Sequence, residues 1–503
     1  MSFLDNLILG LNVAFSWDNL FYCFLGVTMG MFVGVLPGIG GLVAIALLLP
    51  MTFYLDPVAA IVMLAGVFYG STYGGSIASI LLNVPGAPNT AVTCLDGYPM
   101  TQQGRAGVAL LMTTVASFFG GSVGILAMML FSPLIASVAL QFGAAEYFAL
   151  MLLGLVAASS ISQGSAVKGI AMVVLGIIFG VVGTDVNTGI ARFTFGIPEL
   201  YDGIVIVAIA MGLFGIAEVI YSVTRVKPGQ LRAKDITMRS MIPTRDDVRR
   251  SWGPMIRGST VGSFFGVLPG VGGSIAAFMG YAVEKRVSSS PERFGKGAIE
   301  GIMGPESSNN AADQTSFIPT LTLGIPGNVT MALMLGALMI HGITPGPNFV
   351  VERPDMFWGL IMSFWIGNLI LVVFNIPLIG LWIRVLAVPY HMLYPAILMF
   401  VCMGVYAVNN SAFDVLMVLM FGVLGYAMRV LDFSPAPLIL GFVLGPLMEE
   451  NLRRALLISR GDFMVFLERP ISAVLVVSTV LLVAWMVWSD FRRGAKLGSA
   501  EAK

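Results

Sequence analysis

The sequence has little charge. Only 11% of its 503 residues are Asp, Glu, Lys or Arg, and the 27 basic residues balance the 27 acidic ones. Soluble proteins carry roughly 25% charged residues, more than twice this share. In addition, 57% of this chain is hydrophobic. A balanced charge gives no electrostatic attraction to nucleic acid, which is therefore excluded as a partner. The composition predicts a protein of the lipid bilayer.

Cysteine and histidine are also scarce. The three cysteines (Cys23, Cys94, Cys402) form no CxxC pair and lie far apart, which excludes a disulfide scaffold and a zinc site. The chain contains no Walker A sequence, no HExxH motif and no recognisable Ser/His/Asp set, so neither ATP hydrolysis nor another enzymatic activity is expected. We expect no cofactor.

Long apolar segments recur along the whole chain, and each approaches the ~20 residues that cross a bilayer as a helix. Examples are residues 107–131, 144–160, 203–223, 412–428 and 471–489. The sequence predicts an all-α polytopic membrane protein with roughly 10–12 membrane segments.

An octapeptide occurs twice. Residues 34–41 read GVLPGIGG and residues 266–273 read GVLPGVGG, and further matches follow in the same order, among them NVPG at 83–86 with GIPG at 324–327. Such a series predicts an internal duplication, as found in many secondary transporters. The predicted divisions are a first membrane repeat (1–223), a basic cytoplasmic linker (224–257), a second membrane repeat (258–470), and a C-terminal transmembrane helix with a short basic tail (471–503).

The distribution of basic residues predicts the orientation of the repeats. Residues 224–257 and 284–297 are rich in Arg and Lys and should face the cytoplasm, so that the segment between them enters and leaves the membrane on one side as a re-entrant hairpin. The corresponding loop of the first repeat, residues 51–57, has no Lys or Arg. This asymmetry favours an inverted repeat, while a parallel repeat with full crossings stays open as the alternative.

Proline and glycine in the octapeptide must break a helix at membrane depth. Helix ends facing a cavity offer partial charges to an anion and a cation. The predicted breaks contain Gly38, Gly40, Gly41, Gly270, Gly272 and Gly273.

Beside each predicted break lies a second interruption rich in small polar residues. Its hydroxyls and amides suit carboxylate oxygens and a hard cation, although each residue singly could serve only to hold helices together. Two carboxylates at membrane depth, Glu306 and Asp313, are candidates for a sodium site, because an unpaired charge there costs several kcal/mol. The predicted substrate-binding residues of these stretches are Ser76, Asn83, Asn89, Thr90, Asn309, Asn310, Thr322 and Asn328.

Three longer motifs carry a resemblance to a known family. They are GVLPGIGG; YGSTYGGSIASILLNVPGAPNTAVTCLDGYPMTQQGRAGVAL at 69–110; and FGKGAIEGIMGPESSNNAADQTSFIPTLTLGIPGNVTMALMLGALMIHGITPGP at 294–347. From about residue 15 to about residue 455 the chain resembles the large membrane subunit of the tripartite tricarboxylate transporters, the TctA family. The pair Asp313-Gln314 departs from the small residues that this resemblance leads one to expect.

The resemblance implies a transport subunit of the bacterial inner membrane that imports citrate or a related small carboxylate in symport with sodium or protons. It also implies two partners, a small four-helix membrane subunit similar to TctB and a periplasmic solute-binding protein similar to TctC. A gated anion channel is the alternative function, and a purely structural membrane scaffold is a third.

Overall fold

The computed structural model describes residues 3–36, 40–160, 166–185, 188–223, 236–268, 272–386 and 390–501. These ranges are mainly helical. Their strands are β1 (Gly183–Thr184) and β2 (Ala191–Arg192), a short antiparallel pair with Gly183 opposite Arg192. The predicted all-α class is confirmed.

The helices of the chain up to residue 223 are α1 (Phe3–Ala14), α2 (Trp17–Val35), α3 (Gly40–Thr52), α4 (Pro57–Leu82), α5 (Thr93–Gln102), α6 (Ala106–Ala139), α7 (Ala144–Ser160), α8 (Ala166–Gly180), α9 (Ile206–Ala210) and α10 (Ala217–Val223). A π-helical segment, Met211–Ile216, joins α9 to α10. Short 3₁₀ turns lie at Pro88–Thr90 and Pro198–Leu200.

The remaining helices are α11 (Arg245–Val267), α12 (Gly272–Val287), α13 (Glu300–Thr315), α14 (Phe317–Leu323), α15 (Val329–Ile340), α16 (Phe349–Glu352), α17 (Pro354–Asn375), α18 (Ile379–Val385), α19 (Tyr390–Asn409), α20 (Ala412–Val430), α21 (Pro435–Ile458), α22 (Val465–Glu468) and α23 (Pro470–Glu501). Further 3₁₀ turns lie at Met238–Met241 and Pro291–Arg293.

Six helices of the described chain are long and apolar enough to cross a membrane. They are α2, α4, α6, α17, α20 and the Pro470–Trp488 part of α23. Shorter apolar helices, including α3, α7, α8 and α15, accompany them. The chain is therefore a multi-pass membrane protein.

Two helices lie at the centre of the fold. In α4 every residue from Val58 to Leu81 is buried, as a helix surrounded by other helices requires. In α13 every residue from Gly301 to Thr315 is buried, although the sequence of this helix, EGIMGPESSNNAADQT, is mostly polar. Buried polar side chains need hydrogen-bond partners, so the neighbours of α13 decide what this helix does.

Helix α2 packs on α4 through three glycines spaced by one turn. A methyl group at Gly26 would lie 2.1 Å from the carbonyl oxygen of Met63, so the two backbones touch. Because residue numbers rise together along both helices, α2 and α4 run parallel. The three contacts of this first glycine ladder are Gly26 on Met63, Gly30 on Val67 and Gly34 on Ser71.

Helix α11 packs on α13 in the same way. A methyl group at Gly262 would lie 2.0 Å from the carbonyl oxygen of Ser308. Here too the numbers rise together, so α11 and α13 run parallel. The contacts of this second glycine ladder are Gly258 on Gly304, Gly262 on Ser308 and Gly266 on Ala312.

The start of α11 lies inside the range 224–257 predicted as a linker, because a capping box begins the helix there. Thr244 accepts a hydrogen bond from the Asp247 amide, and the Asp247 carboxylate accepts one from the Thr244 amide. The same carboxylate pairs with Arg105 at 2.7 Å. Burial alone would raise the pKa of Asp247, but the hydrogen bonds from Arg105 and Thr244 outweigh it and hold the pKa below its ordinary value.

Candidate functional site

Two helices are interrupted where the octapeptides lie. Helix α2 ends at Val35 and α3 begins at Gly40, while α11 ends at Val267 and α12 begins at Gly272. Gly40 and Gly272 have φ of +69° and +64°, a left-handed conformation that glycine adopts without the steric cost of a Cβ. The predicted breaks are present at both places. Gly38 and Gly270 lie outside the described residues.

The two helices on either side of the second break form a hairpin. Along α12, Gly273 faces Asn309 and Asp313, whereas Gly280 faces Ser308 and Gly304, so α12 runs antiparallel to α13. Since α11 runs parallel to α13, the chain turns back at the break. An ion pair joins the two arms at their open end, where the guanidinium of Arg257 donates to both carboxylate oxygens of Glu284 at 2.9 and 2.7 Å.

The helices on both sides of each break reach the same level of a central helix. Gly34 in α2 and Gly41 in α3 both contact Ser71, at the middle of α4. Gly266 in α11 contacts Ala312, and Gly273 in α12 contacts its neighbour Asp313, near the end of α13. Each break therefore lies beside a central helix.

The two central helices cross one another antiparallel. Thr72 in α4 donates a hydrogen bond to Asp313 in α13 at 3.0 Å, and one turn later Ser76 donates to Glu306 at 2.9 Å. Residue numbers rise along α4 while they fall along α13. The crossing brings both breaks to the same polar interior.

A cluster of four side chains, which we name the Asp313 cluster, lies at this crossing: Thr72, Asn89, Asn309 and Asp313. Besides the bond from Thr72 to Asp313, the amide nitrogen of Asn89 donates to Asn309 Oδ1 at 3.1 Å. A methyl group at Gly273 would lie 2.6 Å from both Asn309 Oδ1 and Asp313 Oδ1, so these oxygens converge on the first turn of α12.

The Asp313 cluster has unused hydrogen-bonding capacity. Asn89 Oδ1 and Asn309 Nδ2 are buried and have no hydrogen-bond partner within the described chain. No ion pair within the described residues involves Asp313. An unpaired buried carboxylate beside a free amide oxygen is a donor set that suits a hard cation, and the free amide nitrogen beside the N-terminus of α12 suits an anion.

A second group, which we name the Glu306 pocket, contains Glu306 and three hydroxyls. Ser76 and Thr93 donate to Oε1, and Ser117 donates to Oε2 at 3.1 Å. These hydroxyls come from α4, α5 and α6, and each is at least 99% buried, as is Glu306. Glu306 and Asp313, predicted together as a sodium site, therefore lie in separate surroundings on one face of α13.

Residues 20–440 match the sequence model of the tripartite tricarboxylate transporter TctA family. The chain belongs to the TctA family. This is a family of transporters and not of enzymes, and its description as tripartite implies partner subunits.

Two similar proteins are known from Agrobacterium vitis. One, described as an uncharacterized 52.8 kDa protein in the TAR-I ttuC' 3' region, is 50% identical over 473 residues, 94% of each chain. The other, described as an uncharacterized protein in the TAR-II ttuC' 3' region, is 58% identical over 212 residues, which cover 42% of this TctA-family chain and 88% of the relative. No solved structure matches the chain.

Several other predicted site residues of this TctA-family protein serve their own helices. Thr90 and Asn328 cap the starts of a 3₁₀ turn and of α15, and Asn83 ends α4 with φ of 57°. Thr322 donates to a carbonyl within α14, and Asn310 donates to the Glu306 carbonyl. The structure does not bring these side chains into the Asp313 cluster.

Each polar stretch predicted as a second interruption is helical in its first part and broken in its last part. The first follows α4 to Leu82 and is interrupted until α5 begins at Thr93, whereas the second follows α13 and α14 to Leu323 and is interrupted until α15 begins at Val329. In the helical parts, small polar side chains bond to other helices or to the preceding turn, and so leave the backbone hydrogen bonds of the helix intact.

Sequence reasoning did not select three side chains that complete the two groups: Thr72, Thr93 and Ser117. Thr72 and Thr93 lie in the first polar stretch, which was the available signal. Ser117 is a single hydroxyl in the apolar run of α6, and such a residue cannot be told from one that only joins helices.

Asp96 in α5 holds the connection between α12 and α13. Its Oδ1 accepts hydrogen bonds from the amides of Gly295, Gly297 and Ala298 at 2.8 to 2.9 Å, and Tyr281 donates to Oδ2 at 3.0 Å. Asp96 is fully buried. The second hairpin is thus joined to α5 through a carboxylate that accepts four hydrogen bonds.

Proposed function

We propose that the chain is the large transmembrane subunit of a binding-protein-dependent secondary transporter that imports tricarboxylates such as citrate, or related small carboxylates, by cation symport. The observation that carries the proposal is the antiparallel crossing of α4 and α13 beside two broken helices. Secondary transporters bind substrate and ion at such places, because helix ends supply partial charges there.

The architecture is an inverted repeat in this proposal. Thr72 and Asp313 are 241 positions apart and touch each other. The same separation relates Asn83 and Gly324, which end α4 and α14 with a left-handed conformation. A residue that contacts its own counterpart lies on a two-fold axis, and antiparallel counterpart helices require that axis to lie in the membrane plane.

The glycine ladders support this repeat. Gly26 on Met63 in the first corresponds to Gly258 on Gly304 in the second, 232 positions later on the hairpin and 241 positions later on the central helix. The two offsets differ because the second repeat has a polar insert between α12 and α13. With α4 antiparallel to α13, the two re-entrant hairpins open to opposite faces of the membrane.

The Asp313 cluster holds the coupling cation in this proposal. Asp313 Oδ1 and Asn309 Oδ1 converge at Gly273, and Asn89 Oδ1 has no hydrogen-bond partner among the residues that the structure describes. Oxygen ligands of this kind suit sodium. The substrate carboxylates are bound by the amide of Asn309 and by the N–H groups at the starts of α3 and α12, where the helix dipole favours negative charge.

The proposed setting is the bacterial inner membrane. The proposed partners are a small four-helix membrane subunit similar to TctB and a periplasmic solute-binding protein similar to TctC. The family description, which names a tripartite system for tricarboxylates, supports this assembly.

Uptake into proteoliposomes tests the proposal. The chain and its small membrane subunit are reconstituted, and a panel of labelled tricarboxylates and dicarboxylates, citrate first, is added with and without the binding protein and an inward sodium gradient. We expect accumulation above the external concentration only when both are present. Flux that only dissipates a substrate gradient would instead establish the gated channel.

Two substitutions locate the site in the same assay. Asp313→Asn removes the charge at the proposed cation site and should abolish sodium-driven accumulation. Asp432→Asn is the matched control, because Asp432 is exposed and already has the positive φ that asparagine accepts. Equal uptake by the two variants would remove Asp313 from the mechanism.

A further inference from the structure

Glu306 has no role in the proposed binding of sodium or substrate, yet it is a fully buried carboxylate in the interior of a membrane protein. No ion pair of the described residues includes it, and its carboxylate partners are the hydroxyls of Ser76, Thr93 and Ser117. An ionised carboxylate buried without a cation is costly, whereas its protonated form is not.

Within the described part of the chain, the titratable groups that face Glu306 do not supply a positive charge. They are Tyr73 from α4, Cys94 from α5 and Asp313 from α13 itself, while α6 contributes only the hydroxyl of Ser117. Tyr73 donates its proton to Asn368 in α17 at 2.8 Å. The Arg257–Glu284 pair contacts another face of α13, against Gly304.

The composition of the Glu306 pocket fits both protonation states. A hydroxyl can donate to a carboxylate and can also accept from a carboxylic acid, which neither an ammonium group nor a backbone amide can do. Ser76 has a second acceptor within reach, the carbonyl oxygen of Thr72 at 3.2 Å. The pocket can therefore rearrange by rotating hydroxyls, without moving a helix.

The geometry also gives the protonation site and a link to the cation. The hydroxyl of Ser76 donates to Glu306 Oε1 and can turn instead to the carbonyl oxygen of Thr72, which leaves a lone pair of Oε1 free for a proton. The hydroxyl of Thr72 itself donates to Asp313. A change at Glu306 reaches the Asp313 cluster through these two residues.

We propose that Glu306 is a proton-binding site, separate from the Asp313 cluster, and that it takes up and releases one proton in each transport cycle. On protonation an O–H bond forms at Oε1, while Ser76 turns its own hydrogen to the Thr72 carbonyl and accepts the hydrogen bond from the new O–H. The protonation itself does not depend on the proposed function, but its place in a transport cycle rests on it.

Infrared difference spectroscopy tests the protonation without any substrate. The full-length chain in liposomes is taken between about pH 9 and pH 6, a range in which exposed carboxyl groups stay ionised. The substitution Asp313→Asn removes the other buried carboxyl group of α13, so that it cannot contribute to the spectrum. We expect a carbonyl band of a protonated carboxylic acid to appear reversibly in Asp313→Asn and to be missing when Glu306→Gln is added to it. An Asp313→Asn protein without such a band, or a band that persists in the double variant, would overturn the proposal.

Two further measurements make the result independent of folding and of transport. If Glu306→Gln does not fold, Glu306→Asp should keep a protonated-acid band at a shifted frequency, and an unshifted band would assign it to another group. In proteoliposomes Glu306→Gln should still exchange labelled for unlabelled substrate. It should lose the additional accumulation that an inward proton gradient produces in the presence of the sodium gradient, and an unchanged effect of the proton gradient would count against the proposal. If the wild type transports nothing, the proposed function fails while the infrared result stands.

Discussion

The substitution Gly273→Ala tests the cation site by adding one methyl group. That methyl would lie 2.6 Å from Asn309 Oδ1 and Asp313 Oδ1, although a real Cβ makes ordinary contact only from 3.4 Å. Both oxygens must therefore withdraw by roughly 0.8 Å, well beyond the ~0.2 Å tolerance of ligand distances at a metal site. We expect sodium to bind about 100-fold more weakly, equal to about 2.8 kcal/mol.

The assay is the thermal unfolding midpoint of the purified chain as sodium replaces choline at constant ionic strength. A cation at 100 times its dissociation constant stabilises the folded state by about 2.7 kcal/mol, so the wild-type midpoint should rise with sodium. Gly273→Ala should need about 100-fold more sodium for the same rise. Gly380→Ala is the matched control, because no atom lies within 4 Å of a methyl group there. A Gly273→Ala protein that responds to sodium at wild-type concentrations would refute the site.

Three further substitutions test other parts of the structure. Thr72→Val removes the hydroxyl that donates to Asp313 and should weaken sodium activation of uptake about tenfold; an unchanged sodium titration would show that this hydroxyl is not needed. Gly30→Leu places a side chain against the Val67 carbonyl oxygen, which lies 2.4 Å from the position of the new Cβ. This overlap should destabilise the protein by about 3 kcal/mol or more, and the monodisperse peak in size-exclusion chromatography should be lost. A wild-type elution profile would contradict the backbone contact. Asp247→Asn should lower stability by about 1 kcal/mol at neutral pH. Because the pKa of Asp247 is lowered in the folded state, its contribution to the free energy of unfolding is present above the ordinary pKa. That contribution is lost as the pH falls through the lowered value. The melting temperatures of the wild type and the variant, plotted against pH, should therefore converge in acid.

The helix breaks could be predicted because their cause is local. Proline and glycine limit the backbone wherever they occur, and Gly40 and Gly272 restart their helices in the left-handed conformation. The all-α class follows in the same way from apolar runs of membrane length. These properties need no knowledge of which helices touch.

The partners of the polar residues could not be predicted because they are set by packing. Glu306 and Asp313 are two turns apart on one helix and looked like ligands of one ion, but α4 presents Ser76 to the first and Thr72 to the second. Ser117 reaches Glu306 only because α6 packs beside α13. The spacing of residues along one helix does not show which side chains a neighbouring helix will place against them.

The glycine ladders limit how the protein can move. Where two backbones are in contact at a glycine in every turn, neither helix can slide along the other unless the two first move apart. The pairs α2–α4 and α11–α13 are therefore mechanical units, and any displacement of one member carries the other with it. Motion that exposes the interior must therefore take place at α3 and α12, the helices that follow the two breaks, or must move a whole helix pair through the membrane.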